Sequence, residues 1–411
     1  MHIRSFGVKN FMVHRNTQID LFPITVLVGS NNGGKSALFN ALLNFSMVSR
    51  GKLSQAFGPG PYSFGSNKHH GAGPAARISF DVTLAETGES EGGLRYHISY
   101  AQLGGEESEY VIYEETLHNG ESGEVVFDRS NPDEYQMGQT STYLTNDRSI
   151  FAAIRRAQVA GEYEETHPLV TLCAREISRI SKFRLDPSNL ARPSRTPDVV
   201  TEDFDESRTP RLDYRGEDLP GVLYYLFETE NEALEKILRI LREVLTGFET
   251  VEFNTVGTDR IGFSVRFSDA RGLVPAANLS DGTLTFLGMM ILLYHPQRPS
   301  VLCLEEPENG LTPKTTRAVY EAIRTVALDE DVSKRAQVLV SSHSPFVICE
   351  AWNGEDRDFI FHMKPENGQA QTRTFAEVIK GHEIQLQKIK GGNREQLGLR
   401  TADLVMEGYW S

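Results

Sequence analysis

The start of the chain alternates between apolar and polar positions in three short runs, a pattern typical of β-strands. The runs cover residues 3–11, 17–21 and 24–28, and we expect them to form a β-meander. A glycine-rich turn follows, and the apolar spacing of residues 36–45 then predicts a helix. Residues 51–73 are rich in Gly, Ser, Pro and His, which indicates a loop or a mobile flap.

The middle of the chain changes from a strand pattern to a helical one. In residues 77–128, runs that alternate between apolar and polar positions are separated by Gly-rich turns, which predicts an antiparallel β lobe. The helical period follows, most clearly in residues 149–159, 167–183 and 231–245. Residues 186–211 carry several prolines and polar residues, so we expect irregular or partly disordered chain there. Strands at residues 250–253 and 262–267 then begin a second αβ series.

The composition is that of an ordinary globular protein, with 39% hydrophobic and 24% charged residues among 411. The longest apolar run, residues 284–294, is shorter than the roughly 20 residues that a membrane span needs. The N-terminal residues do not resemble a signal peptide. We therefore expect a cytoplasmic protein without a membrane partner. Cys173, Cys303 and Cys349 lie far apart among apolar neighbours, which predicts buried reduced thiols.

The formal net charge of −14 opposes non-specific adhesion to nucleic acid over the whole surface. A local basic groove stays open as a hypothesis, and DNA with it as a candidate partner. The alternative is a solvated helix face followed by a loop. The residues concerned are Arg175, Arg179, Lys182, Arg184, Arg192 and Arg195.

The glycine-rich turn satisfies the P-loop pattern G-x-x-x-x-G-K-[ST], and an apolar strand precedes it while a helix follows. Its glycines let backbone amides curl around phosphates, and the helix N-terminus adds a favourable field. Lys35 would neutralise phosphate charge, and the Ser36 hydroxyl would ligate Mg²⁺. The predicted phosphate-binding residues are Gly29, Ser30, Asn31, Asn32, Gly33, Gly34, Lys35, Ser36 and Ala37.

Two adjacent acids, Glu305 and Glu306, end the apolar run 301–304, which is typical of a buried strand. Acids at the C-terminal end of such a strand lie where α/β sheets place ligands. In a P-loop ATPase the first acid holds Mg²⁺ and the second polarises the attacking water. We therefore predict Glu305 as a metal ligand and Glu306 as the catalytic base. Two solvated acids in a turn are the alternative.

Two further motifs lie on either side of the acids. Ser280, Asp281 and Gly282 precede the helical run 284–294, and Ser280 is well placed to cap that helix. The functional interpretation is that Ser280, the Gly282 amide and the helix dipole contact a γ-phosphate. His343 follows the apolar strand 338–340, at a distance along the chain that suits a γ-phosphate sensor.

These motifs, in this order, resemble the ABC-type ATPase heads shared by RecF, SMC proteins and OLD-family nucleases. The likeness is greatest to the OLD-like predicted-ATPase group of bacterial genomes, which is often found in phage-defence loci. Residues 9–36, 278–284, 305–311 and 343–345 carry the resemblance, together with residues 218–223. It implies an α/β fold, a P-loop ABC-type ATPase head with a β-rich N-terminal lobe and a RecA-like α/β lobe, and a β and helical insertion between Walker A and the signature loop.

The resemblance also implies a division of the chain. Residues 1–50 would form the first part of the head with Walker A, and residues 250–411 its second part with the signature, Walker B, D-loop and histidine switch. Residues 51–128 would form a loop and β lobe, and 129–249 a helical insertion. Too few residues follow His343 to build the TOPRIM domain of OLD nucleases, so we expect no nuclease in this chain.

The activity implied by the resemblance is that of a switch driven by ATP and Mg²⁺. Ser280, Asp281 and Gly282 would act in trans against the P-loop of a second copy, and residues 309–312 would form the D-loop. The dimer would control a separately encoded effector, plausibly in anti-phage defence. A RecF-like DNA repair ATPase and a nucleotide-dependent scaffold with little turnover remain alternatives.

Overall fold

The computed structural model describes most of the chain in two compact units. The described residues are 2–57, 63–73, 75–85, 93–103, 109–129, 145–160, 168–197, 209–269, 271–353, 359–366, 369–374 and 377. The first unit holds those of residues 2–180 and 359–377, and the second those of residues 181–353. Within these ranges, no helix is both long and apolar enough to cross a membrane.

Strands and helices alternate along both units. In chain order the strands are β1 His2–Phe11, β2 His14–Asp20, β3 Ile24–Val28, β4 Ile78–Ala85, β5 Leu94–Leu103, β6 Glu109–Asn119, β7 Val125–Asp128, β8 Ile180–Phe183, β9 Ser194–Arg195, β10 Phe248–Val256, β11 Arg260–Phe267, β12 Leu273–Pro275, β13 Val301–Glu305, β14 Gln337–Ser341, β15 Ile360–Glu366 and β16 Gln369–Thr374. The helices are α1 Lys35–Arg50, α2 Leu53–Ala56, α3 Phe64–Asn67, α4 Ile150–Ala160, α5 Pro168–Ile177, α6 Pro187–Leu190, α7 Leu219–Glu228, α8 Glu232–Val244, α9 Asp281–Tyr294, α10 Pro313–Ala327 and α11 Pro345–Asn353.

An antiparallel sheet of order β2-β1-β4-β5-β6-β7 forms one part of the first unit. β4 alternates between buried and half-buried residues, as expected of a strand with one face on the core. Phe6, Phe45 and Phe80 bring β1, α1 and β4 together, with ring centroids 5.5–6.0 Å apart. The antiparallel β lobe predicted for residues 77–128 is therefore confirmed for its described strands.

The third strand of the predicted N-terminal meander lies in a different sheet. β3 pairs in parallel with β15, with Val26 opposite Ile360, and β16 adds an antiparallel strand to β15. All five residues of β3 are buried, and such a continuous apolar run is typical of a parallel strand covered on both faces. β1 and β2 alone form the hairpin, so the prediction of a three-stranded meander was wrong.

The second unit combines a small antiparallel sheet with a core of parallel type. β9 and β12 both pair with β11, which also pairs with β10. β13 pairs in parallel with β14, with Leu304 opposite Val340, and β8 is the neighbour of β13 on its other side. α8 buries Leu234, Ile237, Leu238 and Leu241 of its apolar stripe, while Ile240 and Val244 are half-buried. Every residue of 284–294 in α9 is buried. The α/β class predicted from the sequence is confirmed.

The helix predicted over residues 167–183 ends early, because its last part is a strand. α5 ends at Ile177, and residues 180–183 form β8 beside β13. Pairing with a buried strand has overridden the local helical period here. In the segment predicted to be irregular, Asp186 caps the short helix α6 and β9 follows, while residues 198–208 lie outside the described chain. The three cysteines are buried, as predicted.

Candidate functional site

The P-loop forms between β3 and α1 in the first unit. Both the backbone conformation and the close packing around the loop require glycine at particular positions. Gly29 and Gly34 have φ values of 134° and 101°, which side chains with a Cβ rarely adopt. A Cβ on Gly33 would lie 2.5 Å from the carbonyl oxygen of Met363 in β15, and one on Gly29 would lie closer still. Because Gly29 and Gly33 have no Cβ, the backbone of β15 can approach the turn.

Lys35 lies across the loop that it follows. Its Nζ donates hydrogen bonds to the carbonyl oxygens of Gly29 (2.8 Å) and Ser30 (2.9 Å), and its side chain is buried. The first turn of α1 carries no acidic residue, so its positive end is left for an anion. Of the predicted phosphate-binding residues, the exposed ones are Ser30, Asn31, Asn32 and Ser36, and the buried ones are Gly29, Gly33, Gly34, Lys35 and Ala37.

A buried histidine that the sequence did not single out supports the loop from β2. His14 donates from Nε2 to the carbonyl oxygen of Gly34 (3.1 Å), and its Nδ1 accepts from the Thr17 hydroxyl (2.9 Å). Burial lowers the pKa of His14 to about 4, which keeps the ring neutral and suits this pair of hydrogen bonds. The ring thereby holds the left-handed residue that opens α1.

His14 should make the stability of the first unit depend on pH. The unfolded ring has a pKa near 6.5 and the folded ring one of about 4, so the unfolded state binds the extra proton between these values. Its contribution is complete above pH 6.5 and is lost as the pH falls below that value. Between pH 7.5 and 5.5, wild type should lose about 1.4 kcal/mol more unfolding free energy than His14→Gln. Urea denaturation at both pH values measures this, and equal losses would contradict it.

The first predicted acid, Glu305, is the last residue of β13 and is only 4% exposed. Its Oε2 lies 3.1 Å from Nζ of Lys182 and accepts a hydrogen bond from the Tyr214 hydroxyl at 3.0 Å. Its Oε1 is buried and has no hydrogen-bond partner among the described residues. Burial and the nearby Glu305 carboxylate raise the pKa of Tyr214 to about 12, so the hydroxyl stays a donor. Glu305 therefore has one oxygen that is held by two partners and one buried oxygen that has none among the described residues.

The second acid, Glu306, departs from the strand geometry, with a φ of 47°. Its backbone amide donates to the Ser341 carbonyl at 2.8 Å. Its side-chain Oε2 accepts hydrogen bonds from the Arg184 guanidinium (3.0 Å) and from the side-chain amide of Asn309 (2.9 Å). Oε1 lies 3.4 Å from Nε2 of His343. The structure thus brings the predicted base and the predicted sensor histidine into contact, at the ends of β13 and β14.

A third acid, Glu308, supports the histidine turn. Its Oε1 accepts a hydrogen bond from the Ser342 hydroxyl at 2.5 Å and one from the His343 amide at 3.4 Å. Burial raises the pKa of the Glu308 carboxyl, and its Oε2 is buried without a hydrogen-bond partner among the described residues. Glu308 therefore fixes the backbone on which the His343 ring stands.

The Ser280 motif opens α9, also in the second unit. Ser280 caps the helix by accepting a hydrogen bond from the Thr283 amide at 3.2 Å, as its position before the helical run predicted. A Cβ on Gly282 would lie 2.5 Å from the Gly310 carbonyl oxygen, so this turn packs tightly against the predicted D-loop. Ser280 and Asp281 are exposed. Their contact with a second copy stays a prediction.

Two cations of the basic-groove hypothesis have acidic partners in the second unit. Lys182 is buried on β8 and pairs with Glu305, while Arg184 follows the same strand and pairs with Glu306. Neither belongs to a solvated helix face. The sequence analysis named both cations but not their acidic partners, because residues 180–183 were assigned to a helix, and no pattern singled out Tyr214. The alternation of apolar and polar positions in residues 180–183 was the available signal.

The acid cluster fits a divalent cation in part. Mg²⁺ takes oxygen ligands, and the buried, unpartnered Oε1 of Glu305 is such an oxygen. Throughout the described chain, however, no group of three or more His, Cys, Asp or Glu side chains could hold a metal by itself. A cation bound at Glu305 would therefore need further ligands from a bound nucleotide or from water.

Comparisons with known proteins agree with this fold. The family described as "AAA domain, putative AbiEii toxin, Type IV TA system" matches residues 24–349. No curated protein matches the chain. An SMC head bound to the C-terminal winged-helix domain of ScpA superposes with a TM-score of 0.54 at 10% identity, over 92% of this chain and 99% of that one. The SMC head domain of Thermotoga maritima has 15% identity and a TM-score of 0.42, over 91% and 99%.

The family match spans both the P-loop and the acid cluster. The structure has the fold of an SMC-like, ABC-type ATPase head. The resemblance stated from the motifs is therefore confirmed at the level of the head. The chain belongs to the family described as "AAA domain, putative AbiEii toxin, Type IV TA system" and is an ATPase of that AAA type.

Proposed function

We propose that this ATPase hydrolyses Mg-ATP and works as a dimerising switch. The observation that supports this most directly is the contact between Glu306 and His343, 3.4 Å apart in the second unit. A carboxylate that is only partly buried and already held by Arg184 and Asn309 can accept a proton without first being ordered. An oriented acid beside an imidazole is the arrangement that water activation requires.

The chemistry divides among residues of this chain. Glu306 takes a proton from the water that attacks the γ-phosphorus, and the bond to the leaving ADP oxygen breaks. His343 orients that water and the γ-phosphate. Lys35 exchanges its two carbonyl partners for phosphate oxygens and so neutralises their charge. Ser36 and Glu305 would be the protein ligands of Mg²⁺, which would supply further neutralisation of the phosphate charge.

Two further parts of the proposal concern assembly. Ser280 and Gly282 lie at the partly exposed N-terminus of α9, whose backbone amides would contact a γ-phosphate presented by a second copy, and the Asp281 carboxylate in the same turn would oppose that contact. A separately encoded effector would bind the dimer and not the monomer. The setting of anti-phage defence or a toxin–antitoxin system is supported by the family's description and by the motif resemblance.

The proposal is tested by light scattering with and without Mg-ATP, together with phosphate release. Wild type should double its mass with Mg-ATP and release phosphate. Lys35→Ala should do neither, because it removes the cation that the P-loop places against phosphate. Wild-type protein that binds no ATP would contradict the proposal, whereas dimers that form with ATP but release no phosphate would support the scaffold alternative.

The DNA-binding alternative gains no support from the structure. Two of its candidate cations, Lys182 and Arg184, are engaged by Glu305 and Glu306. Charge reversal at Lys182 would disturb the acid cluster as well as any DNA contact, so it cannot serve as the test. Arg192 and Arg195 would be the residues to change instead.

A further inference from the structure

Two cations stand opposite two acids in the second unit. Lys182 lies in β8, and Arg184 is the first residue after that strand ends at Phe183. Lys182 pairs with Glu305 at 3.1 Å, and Arg184 pairs with Glu306 at 3.0 Å. Sequence neighbours on a strand point to opposite faces, so Glu305 and Glu306 would ordinarily diverge. The φ of 47° at Glu306 departs from strand geometry, and each acid pairs with a different one of the two cations.

The two ion pairs differ in their surroundings. Arg184 is 56% exposed, and water screens its charge. Lys182 and Glu305 are 8% and 4% exposed, so their attraction is screened far less. The Tyr214 hydroxyl donates to the same oxygen of Glu305, and the Lys182 ammonium lies 5.3 Å from the centre of the Tyr214 ring. The backbone holds this group together, since the Arg184 amide donates to the Tyr214 carbonyl at 2.8 Å.

The pairing has an electrical consequence for the proposed metal site. Lys182 and Glu305 together carry no net charge, so the carboxylate is already compensated. A divalent cation arriving at Oε1 would meet the Lys182 ammonium on the other side of the same carboxylate, and the two would repel. Nucleotide phosphates bring several negative charges and can offset that repulsion. The described residues supply no complete set of metal ligands either.

We propose that Lys182 is a resident counter-charge of Glu305 that makes cation binding at this carboxylate conditional on the nucleotide's negative charge. The inference rests on the proposed function, because it concerns the same Mg-ATP. Lys182 is a positioning residue here: it acts through Glu305, and it keeps the buried carboxylate compensated while no nucleotide is bound. Magnesium and ATP would then bind together, rather than magnesium first.

The test measures how much free Mg²⁺ is needed for half-maximal binding of the non-hydrolysable analogue adenylyl imidodiphosphate, by equilibrium dialysis. In Lys182→Met the required concentration should fall at least about tenfold, because the competing charge is gone. Arg184→Met is the matched control. It removes a cation that directly follows the same strand, from an exposed position, so the midpoint should stay within about threefold of wild type.

A second variant covers the case in which Lys182→Met does not fold. Lys182→Gln removes the charge and retains a hydrogen-bond donor on a side chain one atom shorter, and it should show the same fall. A midpoint that stays at the wild-type value or rises, in a variant that still binds the analogue, would overturn the inference alone. Wild type that fails to bind the analogue at any Mg²⁺ concentration would contradict the proposed function, and this inference with it.

Discussion

Glu306→Gln should release phosphate about 10²–10⁴ times more slowly than wild type, because general-base catalysis contributes rate factors of that size. The amide has the shape of the carboxylate, and its oxygen can still accept the hydrogen bonds from Arg184 and Asn309. It cannot take the proton of the attacking water. ATP affinity should change little, since the P-loop residues are untouched. Single-turnover phosphate release and equilibrium dialysis measure the two quantities separately.

Glu308→Gln is the matched control, because Glu308 lies two residues away and is also a partly enclosed acid. Its carboxylate contacts Ser342 and the His343 amide, and the raised pKa of its carboxyl already favours the neutral form that glutamine imitates. We expect a loss of less than about tenfold, through misplacement of His343. Equal losses in both variants would show that the cluster needs acidic charge in general and not a base at Glu306.

Gly29→Ala should prevent the first unit from folding or cost it more than about 4 kcal/mol of unfolding free energy. Two penalties combine at this position. The new Cβ would lie closer than 3.0 Å to the Met363 carbonyl, which is backbone of β15 and has little freedom to move. The φ of 134° is also a conformation that alanine rarely adopts. Urea denaturation followed by far-UV circular dichroism measures the loss.

Two other glycines of the first unit separate these penalties. Gly123 has a φ of 70° but nothing within 4 Å of its Cβ position, so Gly123→Ala should cost about 1–2 kcal/mol from the backbone alone. Gly65 has an ordinary φ and equally open space, so Gly65→Ala should stay within about 0.5 kcal/mol of wild type. A Gly29→Ala protein with the stability of Gly123→Ala would show that β15 yields to the added methyl group.

Local pattern was enough to predict the elements that carry the motifs. A few neighbouring residues were enough to predict the strands β3 and β13 from their apolar runs. The same holds for the turn at the P-loop and for the helix α8. The predictions that were wrong concern elements whose structure depends on contacts with residues distant in the chain. The apolar run of β3 does not say that β15 is its neighbour, and residues 180–183 form a strand because β13 lies beside them.

The same limit applies to the candidate site. Glu306 and His343 follow strands that pair in parallel, so their contact could be anticipated from the motifs. Lys182 and Tyr214 lie in segments without any motif, and only the fold brings them to Glu305. His14 was missed for a similar reason, because its role depends on the Gly34 carbonyl and on burial behind the loop.

The packing of Met363 against Gly29 and Gly33 also bears on the order in which the protein is made. The P-loop leaves the ribosome early, whereas β15 and β16, which lie beside it in the folded unit, are among the last described segments to be synthesised. A nascent chain that ends before β15 carries every residue of the nucleotide motif but not the backbone that shapes it. Competence to bind nucleotide should therefore appear late in translation, when the strands needed to hold the loop have emerged.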